Sequence, residues 1–208
     1  MAVDLLSSCI ETAWKTKRRC VVSILSLDLV GAFNNVSYER LLHILHQKGF
    51  PEWLIGLVKS FLTERRTKIR FTGHESEWIS TQTGIPQGSP LSPILFLFFI
   101  LELLKEFQRT QGDTLAFGFV DDTNLIAWSG SAAENCRRLT EAHDRCIAWA
   151  KRHGASFAPE KYQLMYFTRC RCHNSADLAS TVRVAGHEAT LQKTSMHILG
   201  VWVDPKLR

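Results

Sequence analysis

The feature that most constrains this chain is a pair of adjacent carboxylates, Asp121 and Asp122, standing between two short apolar runs, Leu115 to Val120 and Thr123 to Trp128. Two such runs so close together predict an antiparallel hairpin with the acidic pair as its two-residue tip. Tips of this kind prefer Asn-Gly or Asp-Gly because their central residues need positive φ, so two carboxylates there are strained and repel each other. They call for a neutralising partner, and the hard dication Mg²⁺ suits, since it takes oxygen ligands from one or two carboxylates plus substrate phosphates. Upstream, Val21 to Leu29 is a β-branched and apolar run that reads as a buried strand delivering Asp28 near its end. By itself an Asp in that position merely starts the next turn. Together with the pair it completes a two-metal clamp, in which ions ~3.5–4 Å apart activate a hydroxyl nucleophile and stabilise the leaving oxygen.

The remaining elements read as mixed α+β in one compact unit over residues 1–208, with no repeat and no low-complexity linker. Ser37 is set to cap a helix carrying Leu41, Leu42, Ile44 and Leu45 that ends at Gly49, and Pro51 opens the next. There Trp53, Leu54, Leu57, Val58, Phe61 and Leu62 form an apolar stripe expected in the core. A hairpin is expected around Gly73, from Thr67 to Thr72 and Glu77 to Gln82. The loop Gly84 to Pro93, with three prolines and two glycines, leads into a strongly apolar, mostly buried helix near Leu91 to Glu106. It reads as a rigid connector that also offers amide donors and the polar Gln87 at a helix N-terminus, where anionic groups are welcome. Ser131-Ala-Ala-Glu134 has the form of a capping box for a helix ending at Gly154, and Gln163 to Thr168, Thr181 to Val184 and His197 to Val203 read as strands.

Composition narrows the classes. At 45% hydrophobic and 22% charged the chain is neither disordered, collagenous nor a coiled coil. Its longest apolar run, Ile94 to Leu101, is far short of the ~18 residues of a membrane span. The amino terminus lacks the basic and long apolar regions of a secretory signal, so the expectation is an intracellular protein whose six cysteines are reduced. Lys plus Arg is 25 against 20 acidic residues, a net +5 that permits a polyanionic partner. The basic cluster Arg65 to Arg70 reads as a solvated hairpin rather than a phosphate track. Cys170-Arg-Cys172-His173 invites zinc, but no second ligand pair follows at finger or knuckle spacing, so no metal is expected there.

Taken together, these segments resemble the motifs of reverse transcriptases, in the family's order. Ser26-Leu-Asp-Leu-Val-Gly-Ala-Phe33 resembles motif A, Gly84-Ile-Pro-Gln-Gly-Ser-Pro-Leu-Ser-Pro93 motif B, and Phe119-Val-Asp-Asp-Thr123 motif C. Gly154 to Lys161 is similar to motif D and His197 to Trp202 to motif E. The nearest subgroup is that of non-LTR, LINE-like retrotransposons, and residues 31 to 42 resemble elements common in filamentous fungi. The resemblance implies a right-hand polymerase palm, an antiparallel sheet with a catalytic Asp-Asp hairpin packed on helices. It implies RNA-directed DNA synthesis by two-metal nucleotidyl transfer, with an RNA template, a DNA primer and deoxynucleoside triphosphates as partners, no membrane, and a nuclear location.

Residue by residue, the resemblance makes Asp28 and Asp121 the principal ligands of two Mg²⁺ ions, for which Mn²⁺ can substitute. Asp122 is then a supporting carboxylate and the Leu29 carbonyl a further oxygen. Phe33 matches the steric gate against a ribose 2′-hydroxyl, Gln87 touches the incoming nucleotide, and Lys161 lies near its triphosphate as proton donor to pyrophosphate. Leu199 and Gly200 match the turn that supports the primer end. Only 27 residues precede Asp28 and the chain stops soon after motif E, so fingers and thumb are expected to be largely missing and the isolated chain inactive. A viral RNA-dependent RNA polymerase resembles Gly-Asp-Asp at motif C and carries Asp where Phe33 stands, which Val120 and Phe33 oppose. Group II intron maturases and telomerase share the palm, although the wording of motif B favours the retroelement side, and they remain alternatives with a non-catalytic nucleic-acid-binding remnant.

Overall fold

The computed structural model describes residues 2–108, 114–170, 172–173 and 176–207. Its centre is β1 (Val21–Leu27), whose residues are nearly all buried because both faces are covered. Val21, Leu25 and Leu27 join the larger core, while Val22 and Ile24 join a second core on the other face. That two-sided burial explains the continuous apolar run. The sheet order is β11 (Thr190–Gln192), β8 (Gln163–Phe167), β1, β7 (Asp122–Ser129) and β6 (Thr114–Phe119). All neighbouring pairs are antiparallel except β11 with β8.

Helix α1 (Ala2–Thr16) closes the second core through Leu6, Ile10 and Ala13. The larger core lies under α2 (Tyr38–Gln47), α3 (Glu52–Leu62), α4 (Leu91–Gln108) and α5 (Ala132–His153). Ser37 caps α2 as expected, accepting from the Arg40 amide at 3.4 Å, whereas Pro51 is the cap of α3 rather than its first helical residue. Among the described residues no helix is long and apolar enough to cross a membrane.

Several expectations are corrected. In α3 only Ile55, Val58 and Leu62 are buried, and Trp53 and Leu57 are 71% and 57% exposed. The true inner stripe, 55, 58 and 62, follows the i, i+3, i+7 rule, and the bulk of Trp53 obscured it. Helix α4 likewise leaves Ile94 and Leu97 half-exposed. The capping box before α5 does not form, because the Ser131 amide donates to Ser129 Oγ at 3.1 Å and Glu134 turns forward to Arg137 and Arg138. The hairpin around Gly73 is two nested pairs, β2 (Arg65–Thr67) with β5 (Ile79–Thr81) and β3 (Arg70–Phe71) with β4 (His74–Glu75). The expected strand Thr181 to Val184 shortens to β9 (Arg183–Val184), paired with β10 (His187–Glu188). The stretch His197 to Val203 splits into β12 (Met196–Ile198) and β13 (Val201–Val203). Nor are all six cysteines reduced. Cys170 and Cys172 form a disulfide, their Cα atoms 5.3 Å apart and so within bridging range, while Cys9, Cys20, Cys136 and Cys146 remain thiols.

Candidate active site

The register of the central strands sets the carboxylates together. β1 pairs with β7 so that Leu27 faces Thr123, and continuing that register by one residue sets Asp28 opposite Asp122. On the other side of β7, Asp122 faces Phe119 of β6. The hairpin tip is therefore Val120-Asp121 and not Asp121-Asp122, since Asp122 still belongs to the ladder. Val120 carries the positive φ, 56°, a conformation a β-branched residue adopts only under strain. Immediately beyond, Thr123 Oγ1 and Asn124 Oδ1 are buried without a hydrogen-bond partner.

Asp122 is exposed as a residue, yet partial burial of its carboxyl raises its pKa above the ordinary value, and the charges of Asp121 and Asp28 push it the same way, opposed by His197. The electrostatics thus register all three carboxylates as neighbours. They do not close tightly: among the described residues only Cys170, Cys172 and His173 bring three metal-ligand atoms within 4.8 Å of one another.

Asp28 is tied to the segment before β8. Its carbonyl accepts from the Ala158 amide at 2.9 Å, and Val30 donates to the Ser156 carbonyl at 3.0 Å. These two bonds flank the bridge between Leu29 and Phe157, which leaves the Leu29 carbonyl outside that ladder. The same segment turns through the 3₁₀ helix Pro159–Lys161 and brings Lys161 Nζ to 3.0 Å from Asp28 Oδ2, a contact that raises the lysine's pKa. Lys161 is therefore found on the Asp28 carboxylate.

The loop after β5 locks onto the turn after β1. Ile85 donates to the Phe33 carbonyl at 2.7 Å and Gly84 to that of Val36 at 2.9 Å. Gly84 has φ 79°, and a Cβ there would lie 2.4 Å from the Asn34 carbonyl oxygen, so only glycine permits the approach. Phe33 stacks on Phe96 with ring centroids 5.0 Å apart. With Gln87, Gly88 and Ser89 it lines a cleft of about 460 Å³, and Gln87 Nε2 donates to Asn34 Oδ1 at 3.3 Å. Leu199 and Gly200, both with positive φ, form the two-residue turn between β12 and β13. His197 of that hairpin is the residue that opposes the two aspartates at Asp122, and its ring lies 5.1 Å from that of Trp202.

Sequence reasoning missed two contributors. His197 had no visible link to the acidic pair because the contact is purely tertiary. Arg65 read as part of a solvated cluster, yet it donates to the carbonyls of Thr83 at 3.0 Å and Gly84 at 2.6 Å and to Tyr38 Oη. The remainder of that cluster is solvated, with Arg70 and Lys68 both paired to Glu75.

A family model described as "Reverse transcriptase (RNA-dependent DNA polymerase)" matches residues 1–203. The chain is 28% identical over 184 residues to the RNA-directed DNA polymerase from mobile element jockey of Drosophila melanogaster, covering 87% of this chain and 19% of that protein. It is 25% identical over 191 residues to the Pol polyprotein from the type-1 retrotransposable element R2 of Popillia japonica, covering 88% of this chain and 28% of the relative. Among solved structures, apo telomerase from Candida tropicalis aligns over the whole chain and 35% of its own, at 15% identity and a TM-score of 0.68, which is a likeness of fold.

Proposed function

This chain belongs to the reverse transcriptase (RNA-dependent DNA polymerase) family, and from that premise we propose that it is the palm of a non-LTR retrotransposon enzyme extending a DNA primer on an RNA template. The chain spans about a fifth of its jockey relative. The observation that carries the reading is the β1–β7 register, which ends with Leu27 opposite Thr123 and so leads Asp28 toward Asp122 at the foot of the Val120-Asp121 turn.

The donor set suits a hard dication. Asp28, Asp121 and Asp122 offer oxygen only, and the Leu29 carbonyl is outside its ladder. Those four residues would hold Mg²⁺ or Mn²⁺, which when bound would lower the pKa of the primer hydroxyl and neutralise charge on the phosphates. In the transfer the primer 3′-oxygen bonds to the α-phosphorus of the incoming nucleotide, the bond to pyrophosphate breaks, and the hydroxyl proton passes to solvent water.

The chain's own residues do the positioning. Phe33 packs under the sugar and excludes a 2′-hydroxyl, and Gln87, across the same cleft, contacts the nucleotide. Lys161, with its ammonium at Asp28, stands at the metal side of the site to give a proton to the leaving pyrophosphate. The Leu199-Gly200 turn supports the primer end.

The test is primer extension on an RNA template with Mg²⁺, by this chain and by the longer protein that carries it. Asp121→Asn should abolish synthesis in whichever form is active and leave primer-template binding intact, because the ligand is lost and the basic surface is not. Synthesis retained in Asp121→Asn refutes the assignment. Metal-independent nucleic-acid binding with no synthesis in either form would favour a non-catalytic binding module.

A further inference from the structure

The opposite end of β8 carries a different set of ligands. β8 runs antiparallel to β1, with Gln163 beside Ser26 at the Asp28 end and Phe167 beside Val22 at the other. Just past Phe167, Cys170, Cys172 and His173 bring their ligand atoms within 4.8 Å of one another. Ligands of a tetrahedral zinc ion lie roughly 3.3–3.8 Å apart, given metal–sulfur and metal–nitrogen bonds of about 2.3 and 2.0 Å. In the structure the two sulfurs are bonded as a disulfide, so they must part on reduction to reach that spacing.

We propose that Cys170, Cys172 and His173 form a second metal site, which takes a borderline-soft dication such as Zn²⁺ when the cysteines are reduced and closes as their disulfide when they are oxidised. A contact outside the cluster supports it. His173 Nε2 lies 3.0 Å from the carbonyl oxygen of Arg19. A carbonyl can only accept, so Nε2 carries the hydrogen, and Nδ1 is the nitrogen the neutral ring offers to a metal. A ligating histidine is held in just this way when its other nitrogen donates to a backbone carbonyl. The Cys172 amide donates to Cys170 Sγ at 3.3 Å, which fixes that sulfur beside the turn. Two thiolates and an imidazole select a softer ion than the all-oxygen set at Asp28, so the two sites differ in the metal they take. Cys170 and His173 also form part of the wall of a cavity of about 920 Å³, which gives an ion a path in.

The two states interconvert with balanced chemistry. Two equivalents of a thiol reductant pass two electrons and two protons to the S–S bond and become a disulfide themselves. The two freed thiols then release their protons as they ligate the metal, and water fills the fourth position. In the metal state the site joins the segment after β8 to the Arg19-Cys20 turn that enters β1, a junction where Thr168 Oγ1 already donates to the Cys20 carbonyl at 3.3 Å.

The experiment is anaerobic Co²⁺ titration of the 208-residue chain after phosphine reduction and desalting, read by thiolate-to-cobalt charge-transfer absorption, with zinc stoichiometry by elemental analysis. One thiolate-bound ion per chain is expected for the reduced protein and no thiolate-bound ion for the oxidised one, so reduction should add one zinc per chain. Cys172→Ser should remove the charge-transfer band or reduce it to that of a single thiolate, and His173→Ala should weaken binding at least ~10-fold, the scale on which even outer-shell partners act. Cys9→Ser and Asp121→Asn should retain the site, which keeps this result separate from the polymerase reading. Circular dichroism of each variant checks its fold, and His173→Ala, at a partly exposed residue, serves if Cys172→Ser does not fold. Absence of thiolate absorption in the reduced wild type, or binding unchanged in both Cys172→Ser and His173→Ala, overturns the proposal.

Discussion

At Asp122, burial and two neighbouring carboxylates act in one direction, against ionisation. With a pKa higher in the folded chain than in the unfolded one, Asp122 favours the fold most when protonated, and that advantage is lost as pH rises through the raised value. At neutral pH the ionised residue therefore works against the fold. In metal-free buffer Asp122→Asn should melt above the wild type at pH 7, and the gap should close as pH falls below the ordinary aspartate range. A gap independent of pH, in melts followed by circular dichroism, would assign the effect to packing instead. Phe33 presents a different balance, since the ring that faces the cleft also stacks on Phe96. Phe33→Ala should increase ribonucleotide relative to deoxynucleotide incorporation in the active protein and cost roughly 1–3 kcal/mol of stability, less than the ~3–5 of a fully buried Phe. Unchanged sugar preference beside the same stability loss would leave Phe33 a packing residue only.

Among the elements, α3 shows how far a periodic pattern can be read. Its apolar residues occupy more than one face, and the side chain that draws the eye, Trp53, is the most exposed of them. Ile55→Ala should cost ~2–5 kcal/mol, as loss of a buried aliphatic side chain does, whereas Trp53→Ser should stay within about ±0.5 kcal/mol. Chemical denaturation of the two variants measures the contrast, and equal losses would mean that Trp53 has a partner in solution. The sequence made β1, the Asp28 position, the β6–β7 hairpin and the Gly154 stop legible because each rests on a local rule of burial, alternation or positive φ. It mistook the hairpin tip by one residue because strain at Val120 replaces the expected strain at Asp122. The failed capping box has the same origin: Ser129 supplied a nearer partner for the Ser131 amide than Glu134 could. Arg65 on Gly84 and His197 near Asp122 were invisible because no local pattern encodes a contact between residues far apart in the chain.

On the scale of the whole molecule, the candidate metal ligands have meaning only in the folded chain. Asp28 stands at the end of β1, Asp121 and Asp122 at the turn into β7, and Lys161 before β8, so unfolding scatters the set. Two cores, one on each face of the sheet, hold those strand ends in register. A dication that binds the folded chain and not the unfolded one stabilises it by mass action, about 1.4 kcal/mol at ten times its dissociation constant. For a chain of this size that corresponds to a rise in Tm of about 3–6 °C. Mg²⁺ should therefore raise the Tm of the reduced chain progressively with concentration, at constant ionic strength so that general screening does not contribute. Asp121→Asn should flatten that dependence because it removes a ligand, while Trp53→Ser, far from any proposed ligand in sequence and on an exposed helix face, should keep it. Thermal melts of the three proteins across a Mg²⁺ series decide the matter, and equal shifts in all three would put the ion somewhere other than the Asp28 and Asp121 carboxylates.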